Sequence, residues 1–576
     1  MKELAYFEMR AHLYSKELDY KVEFKLKDLE QLWFCTQKNV KRKLKKYQSL
    51  GLLHYKPGIG RGNPSTLEFT KAFKTEIEEI VAKLVEKEQL DDLVQLLQLP
   101  IPREWITTVS TVQKLFGYTS TIQAKDILRT VTRRKLTTLH PMYSSITLES
   151  HLIKQLGDTL VRYEQETDQI KPHLAHHWRH NETYTSWTFY LRKGVLFHNH
   201  QSLTSLDVKS TMEWFRNQDS PNDWLLAGIE KIECINPYTV RFDLKEANPF
   251  FLRYISSLSL AILPKDIPFD ENSWIGTGPF KLVERTENKL VLEAFDFYFF
   301  ERPLLDRVEV WQVPVDAFED LTYKVQYQES NGEPFLKKEV EPGFRFLSFN
   351  FNRNPKSMVH NKHFREAIFH LLDTEKMWDE LDREDLMEAS SFLPWNSTKQ
   401  DRDSANIPSL LKKANYQEEK LHLFSLYFPK ALEEANWFIQ EADKYGMKFH
   451  LHTFDIEQLY TKQLDEQADL VFLGEIASLD YHLSFIGAFY NKALLFRKFL
   501  TDDQLSFIYQ QLAQIKRQHT HQEREVYVSN VERYLREEFL IIFQHHPIHT
   551  VTFDPMIKDI QADSFNKVDF SKLWIE

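Results

Sequence analysis

The first hundred residues open with apolar positions at helical spacing, alternate briefly, and then turn helical again. Leu4, Phe7 and their neighbours up to His12 predict a helix that ends before Tyr20. Leu26, Leu29, Leu32 and Trp33 predict a short second helix over Leu26–Phe34, with Phe34-Cys35 as a turn. Thr36 suits the N-cap of a third helix, in which Val40, Leu44 and Tyr47 face inward. Thr36, Gln37, Lys38, Lys41, Arg42 and Lys45 then lie on its start and outer face, and Gly51 ends it as a C′ glycine. Leu52–Lys56 and Thr66–Phe69 read as two short strands around a Gly/Pro-rich turn. Thr75–Leu97 reads as one long charged helix ending at Pro100-Ile101-Pro102, a semi-rigid break and a natural boundary.

From about Ile127 strands and helices mix. Trp187–Leu191 alternates as a half-buried strand, and Leu203–Phe215 is a helix capped by Thr204 or Ser205, with Asp207 in its first turn. Gly276 and Gly278 flank a tight bend before a strand. Further on, Ala431–Tyr445 is an amphipathic helix, while Lys448–Phe454 and Asp469–Leu473 are strands.

Charge changes this picture. Residues 21–75 hold 13 Lys and Arg against four acids, a net +9 in a chain of net −11, so the other residues carry −20. A basic head on an acidic body suggests that the head meets a polyanion. Helix–turn–helix followed by a β-hairpin is a winged-helix arrangement. Lys38, Lys41, Arg42 and Lys45 can then reach base edges and phosphates of double-stranded DNA, with Lys56 on the wing and Arg61 at its tip. The Gly58–Gly62 run opens a strand rather than a helix, so it offers no helix N-terminus to a phosphate.

Composition narrows the class. At 576 residues the chain predicts three to four folding units, and 42% hydrophobic with 27% charged residues excludes wholesale disorder. The opening residues carry no apolar core of signal-peptide length, and no stretch approaches a membrane span. Cys35 and Cys234 are the only cysteines. A reduced, cytoplasmic protein with no membrane partner is the expectation.

Leu156–Phe215 (LGDTLVRYEQETDQIKPHLAHHWRHNETYTSWTFYLRKGVLFHNHQSLTSLDVKSTMEWF) resembles the signature region of peptide-type solute-binding proteins of ABC importers. Gly276–Leu282 (GTGPFKL), and Phe346–Asn350 followed by His363–Ile368, match that family's later motifs in order. The likeness covers roughly residues 120–560. Joined to the wing GIGRGNPSTLEF, it resembles the SgrR family of regulators. The resemblance implies a multidomain fold: an α+β winged helix followed by a two-lobed α/β body of the type II, peptide-binding class. Its divisions would be 1–75 head, 76–119 helical connector, 120–345 first lobe, 346–540 second lobe and 541–576 returning to the first lobe. It also implies a regulator that senses a cytoplasmic solute and controls transport genes. The long charged helix of the connector itself reads as a coupling rod, a homodimer contact or ordinary packing on the winged helix.

Family cleft positions suggest Tyr143, Asn350, Asn352, Glu475, Asp480 and Tyr481 as solute contacts, the last three in or beside the loop Gly474–Tyr481. Carboxylates and amides suit a sugar or the ammonium of an oligopeptide; a sugar phosphate would need Arg353 and Arg133. Two other functions compete: the solute receptor of a transporter, and a metal enzyme using His173, His176, His177 and His180, with His176 and His180 at helical spacing. His198-Asn199-His200 and the histidines at 545, 546 and 549 carry no catalytic pattern, and no H-E-x-x-H, G-x-S-x-G or Walker loop occurs. No cofactor is expected.

Overall fold

The computed structural model describes residues 4–575, except 59–62, 108–111, 113–114, 121–124, 145–146, 315–316, 318–334, 385, 479, 554–556 and 559–568. Arg61 therefore lies outside the described residues. The head runs α1 (Leu4–Leu13), β1 (Lys21–Phe24), α2 (Leu26–Leu32), α3 (Gln37–Ser49), β2 (Leu53–Lys56) and β3 (Ser65–Phe69). Its antiparallel sheet has the order β1-β3-β2, which is winged-helix topology. Strand β1 escaped the sequence reading because four residues with only Val22 and Phe24 buried give too short an alternation.

The predicted single helix over 75–97 is two: α4 (Phe73–Glu86) and α5 (Leu90–Leu97). Glu88, at φ +49, breaks it. The turn lets both apolar faces join one core, with Ile77, Val81 and Leu84 beside Leu93, Val94 and Leu97. A straight rod would have exposed one of those faces.

Arg10 of α1 is fully buried and ties α4 to the winged helix. Its guanidinium pairs with Glu17 and Glu76, each at 2.7 Å, donates to the Lys71 carbonyl at 2.8 Å and lies 4.0 Å from the Phe69 ring. Tyr6 donates its hydroxyl to Glu76 at 2.9 Å. Burial favours the protonated Glu76 more than Arg10 opposes it, and the carboxyl rises above its usual range.

The first lobe contains a mixed sheet of β4 (Gly117–Ser120), β5 (Asp126–Thr132), β12 (Phe280–Arg285), β13 (Lys289–Ala294) and β14 (Arg307–Gln312) in the order β12-β13-β14-β5-β4. Between β5 and β12 the chain forms the hairpin β6 (Val161–Glu164) and β7 (Gln169–Pro172). An antiparallel sheet of β8 (Ala175–His180), β9 (Ser186–Leu191), β10 (Ile229–Asn236) and β11 (Thr239–Leu244) follows. The Ser205–Arg216 helix begins at a capping box of Thr204 and Asp207. Gly276 is obligatory, since a Cβ there would sit 2.2 Å from the Leu156 carbonyl oxygen and from the Trp274 ring.

The second sheet takes β15 (Phe335–Val340), β16 (Gly343–Phe349), β17 (Leu386–Glu388), β18 (Lys420–Leu426), β19 (Lys448–Phe454), β20 (Leu470–Ile476) and β21 (Ile541–Phe553). Its order is β15-β21-β16-β20-β18-β19, with β17 on β21. The chain regains the first lobe at Asp569, which pairs with Lys154 at 3.0 Å, and at Phe570, 4.7 Å from His151.

Head and first lobe share a core. Trp311 and Val313, at and just beyond the end of β14, are buried with Leu93, Leu97, Trp105 and Ile106. Lys289 joins Asp91 at 3.0 Å and sits 5.0 Å over the Trp311 ring. Trp311→Ala should cost about 3–5 kcal/mol, the usual loss for truncating a buried tryptophan. Calorimetry of the full chain should then resolve head melting ahead of the body; one unshifted transition would place the junction elsewhere.

Candidate functional site

Helix α3 of the head presents a row of uncompensated charge. Val40, Leu44 and Tyr47 of α3 are buried, so 3.6-residue periodicity turns Lys38, Lys41, Arg42 and Lys45 outward, where all four are exposed. None forms an ion pair with a described residue, whereas Lys21 and Lys56 meet Glu68, Lys71 meets Glu79 and Lys74 meets Glu78. Thr36 caps α3 with its backbone, its carbonyl accepting from Asn39 and Val40, while its side chain stays exposed. Gln37 donates to Glu30 at 3.2 Å, and Lys56 is exposed on the wing strand β2.

The lobes meet around a buried charge network. Asp168, in the β6–β7 turn at φ +53, accepts from Arg253 of the first lobe and Arg524 of the second. Arg253 also donates to Asp480 Oδ1 across the seam at 2.7 Å. Burial opposes charge on both Asp168 and Arg253, yet their mutual pairing wins: the carboxyl falls below its ordinary range, and Arg253, held also by Asp480, rises above its own. Arg524 donates to His482 Nδ1 at 3.3 Å, which leaves His482 Nε2 as donor to Glu525 at 2.9 Å. Further along the seam Lys492 pairs with Asp219 and Asp223 at 2.9 and 2.7 Å, and Trp224 stacks on Tyr490 at 5.6 Å.

Beside this network is a cavity of about 20 Å³ lined by Phe344, Phe392, Glu475, Tyr481, His482 and Phe485, among others. It holds roughly one water, and its lining residues all belong to the second sheet and the elements packed on it, so a larger solute requires those walls to move. The Glu475 side chain makes no hydrogen bond or ion pair with a described residue, and desolvation pushes its carboxyl up to about 8. Asp480 caps the Tyr481–Tyr490 helix by accepting from Leu483 N at 3.0 Å, while its Oδ2 is buried and accepts no hydrogen bond from a described residue. Tyr481 contacts Gln165 of the first lobe and packs 4.8 Å from Trp395.

The sequence candidates thus divide. Glu475, Asp480 and Tyr481 converge on the seam, although Gly474–Ile476 still belongs to strand β20 rather than to a loop. Tyr143 reaches the seam at another point, donating to the Asp219 carbonyl at 3.4 Å. Asn350 and Asn352 follow the far end of β16, about 20 Å from Gly343 at strand rise. There Asn350 donates to the Asp465 and Ala468 carbonyls at 3.0 Å, and Asn352 to those of Lys498 and Leu500 at 2.7 and 3.0 Å. Arg353 pairs with Asp469, and Arg133 lies 5.5 Å from the Phe428 ring. Sequence reasoning missed Arg253 and Arg524, which no motif marks.

His176, His177 and His180 lie on strand β8, with His173 just before it, so the helical spacing of His176 and His180 does not apply and they stand about 13 Å apart. His173 bonds Asp158 at 2.7 Å, His177 stacks on Tyr190 at 5.7 Å and His180 bonds the Asn181 carbonyl at 2.9 Å. A shared metal has no centre there.

Residues 169–494 match the family model of bacterial extracellular solute-binding proteins, family 5 Middle, and residues 2–114 match that of the sugar transport-related sRNA regulator N-terminus. The chain is 26% identical to the uncharacterized protein YhjP of Bacillus subtilis (strain 168), over 96% of each chain. It is 30% identical to the HTH-type transcriptional regulator SgrR of Yersinia pestis (strain Pestoides F), over 58% of this chain and 59% of that protein. Among solved structures it resembles the periplasmic binding protein DppA of Helicobacter pylori in complex with the peptide STSA. That match has a TM-score of 0.66 and 20% identity over 78% of this chain and 98% of that one.

Proposed function

Because the chain belongs to the family 5 bacterial extracellular solute-binding proteins and carries an SgrR-type N-terminal domain, we propose that it is a solute-responsive transcription regulator of the cytoplasm. The observation that carries this reading is the unpaired row Lys38, Lys41, Arg42 and Lys45 on a winged helix whose core continues into the first lobe. A transporter receptor has no use for such a row. Among the described residues no helix is long and apolar enough to cross a membrane.

The solute we assign to the seam carries an ammonium group. The Glu475 carboxyl, which can ionise once a bound cation offsets its burial, and the free Asp480 Oδ2 offer acceptors, and Phe344, Phe392 and Tyr481 supply aromatic faces, which together suit a cation. Arg353, occupied by Asp469 at the far end of β16, gives no support to a phosphate there. A gel-shift titration of promoter DNA, with and without small peptides and sugar phosphates, tests the whole reading. Peptide-dependent shifts support it; no DNA binding at low salt defeats it.

A pH dependence follows. An ammonium pairs only with ionised Glu475, which is protonated below pH about 8 in the solute-free protein. Affinity should fall about tenfold per pH unit below 8, until the pKa of the complex is reached. Glu475→Gln should flatten that slope in calorimetric titrations at pH 6, 7 and 8; an unchanged slope would assign it to another group. The folded-state pKa exceeds the ordinary 4.5, so the stability tied to this proton is complete below about 4.5 and is lost as pH rises through 8. Glutamine should remove that loss.

A further inference from the structure

Three histidines meet on the outer edge of the second lobe, far from the His173–His180 segment. Strands β18 and β19 run parallel in register, pairing His422 with His450 and Phe424 with His452. His450 and His452 stand two residues apart, so both face the same side of β19, and His422 faces that side from the next strand. β19 is an edge strand; His450 is exposed, while His422 and His452 are half-buried. His422 Nδ1 lies 2.8 Å from His452 Nε2. The ring centroids are 5.1 Å apart for His422 and His452, 4.5 Å for His450 and His452, and 6.0 Å for His422 and His450. His452 stacks on Phe424 at 4.7 Å, which holds its ring in place.

Three imidazoles around one tetrahedral ion at about 2.0–2.1 Å per nitrogen place their ring centroids roughly 5 Å apart. The triangle on β18 and β19 already has nearly that size. Only a turn of the exposed His450 ring, with a tautomer change in the hydrogen-bonded pair, separates it from a three-nitrogen ligand set. We propose that His422, His450 and His452 form a surface site for a late first-row divalent metal, with water completing the coordination. Zn²⁺, Ni²⁺ and Cu²⁺ are the cations whose chemistry favours imidazole. Among the described residues, Asp168, His482 and His521 are the group whose ligand atoms already lie within 4.8 Å of one another, whereas the three histidines need the His450 ring to turn; but Arg253 and Arg524 already neutralise Asp168, which makes that group the poorer choice.

Isothermal titration of the full chain with CuSO₄, NiCl₂ and ZnSO₄ tests the site without reference to DNA or to the seam. One saturable equivalent is expected, with Cu²⁺ bound most tightly, and a rise in the thermal midpoint with bound metal. His450→Ala and His422→Ala should each weaken binding by at least about tenfold. His521→Ala and His176→Ala serve as controls and should not weaken it. Circular dichroism confirms folding, since the substituted side chains lie on an exposed or half-exposed face. No saturable binding, or binding that persists in the His450→Ala/His452→Ala double variant, would overturn the proposal. Loss in His521→Ala instead would move the metal to the seam and overturn it equally.

Discussion

Replacing Lys41, Arg42 and Lys45 together with alanine is expected to weaken DNA binding by about 10²–10³-fold at moderate salt. The effect is large because these side chains form an outward row on α3 that no described acid offsets. Each phosphate that the variant leaves unneutralised should lower the slope of log K against log salt by about 0.9, so the slope should fall by about two to three. Folding should survive. Val40, Leu44 and Tyr47 hold α3 in the core, all three replaced residues are exposed, and alanine is the best helix former. A gel shift or anisotropy titration over several salt concentrations reads both quantities. Retained affinity with an unchanged slope would mean that another face of the head meets the polyanion.

How much of this was legible in the sequence depended on sequence distance. Helix α3 could be read because its core positions and its charges both follow the 3.6-residue period within one window. The capping box at Thr204 and Asp207, and strand β19 with the bounds Lys448–Phe454, are equally local. What failed was long-range. Glu88 breaks the connector because two apolar faces must share a core with Trp311, more than 200 residues away, and periodicity alone favoured a straight helix. Buried Arg10 reads as a surface charge until Glu76 is brought to it. Arg253 and Arg524 are 271 residues apart and meet at Asp168 and over the Phe250 ring, so neither stood out. Asn350 and Asn352 were drawn from motif position, which does not say that β16 runs away from the seam. Glu475, Asp480 and Tyr481 were drawn from one family loop, and they stay together in space because they are also close in sequence.

Those two arginines lead to the other large effect. Arg253 is buried between Asp480 and Asp168 and stands 4.4 Å over the Tyr163 ring. Its removal leaves Asp480 with no cation on either oxygen, since Oδ2 has no partner already, and leaves Asp168 with Arg524 and the Tyr163 hydroxyl, which donates to it at 2.9 Å. Breaking a buried pair from one side typically costs about 3–5 kcal/mol. Water relieves that cost when the lobes part, so Arg253→Ala should shift the balance toward an open body by about 10²–10³-fold. Small-angle scattering should register a larger radius of gyration, and the first lobe should keep its fold because Tyr254 and Ile255 retain their packing. The head shares its core with the first lobe, through Trp311 and Val313, so lobe opening carries the second lobe away from head and first lobe together. If lobe geometry sets operator affinity, the open variant should differ from the parent protein by about 5- to 150-fold and should no longer respond to solute. Compact scattering from Arg253→Ala would refute the role of Arg253 in holding the lobes together. Opening without any change in operator affinity would instead show that the head does not sense the lobes, and the sensor reading would fail there while the DNA-binding reading stood.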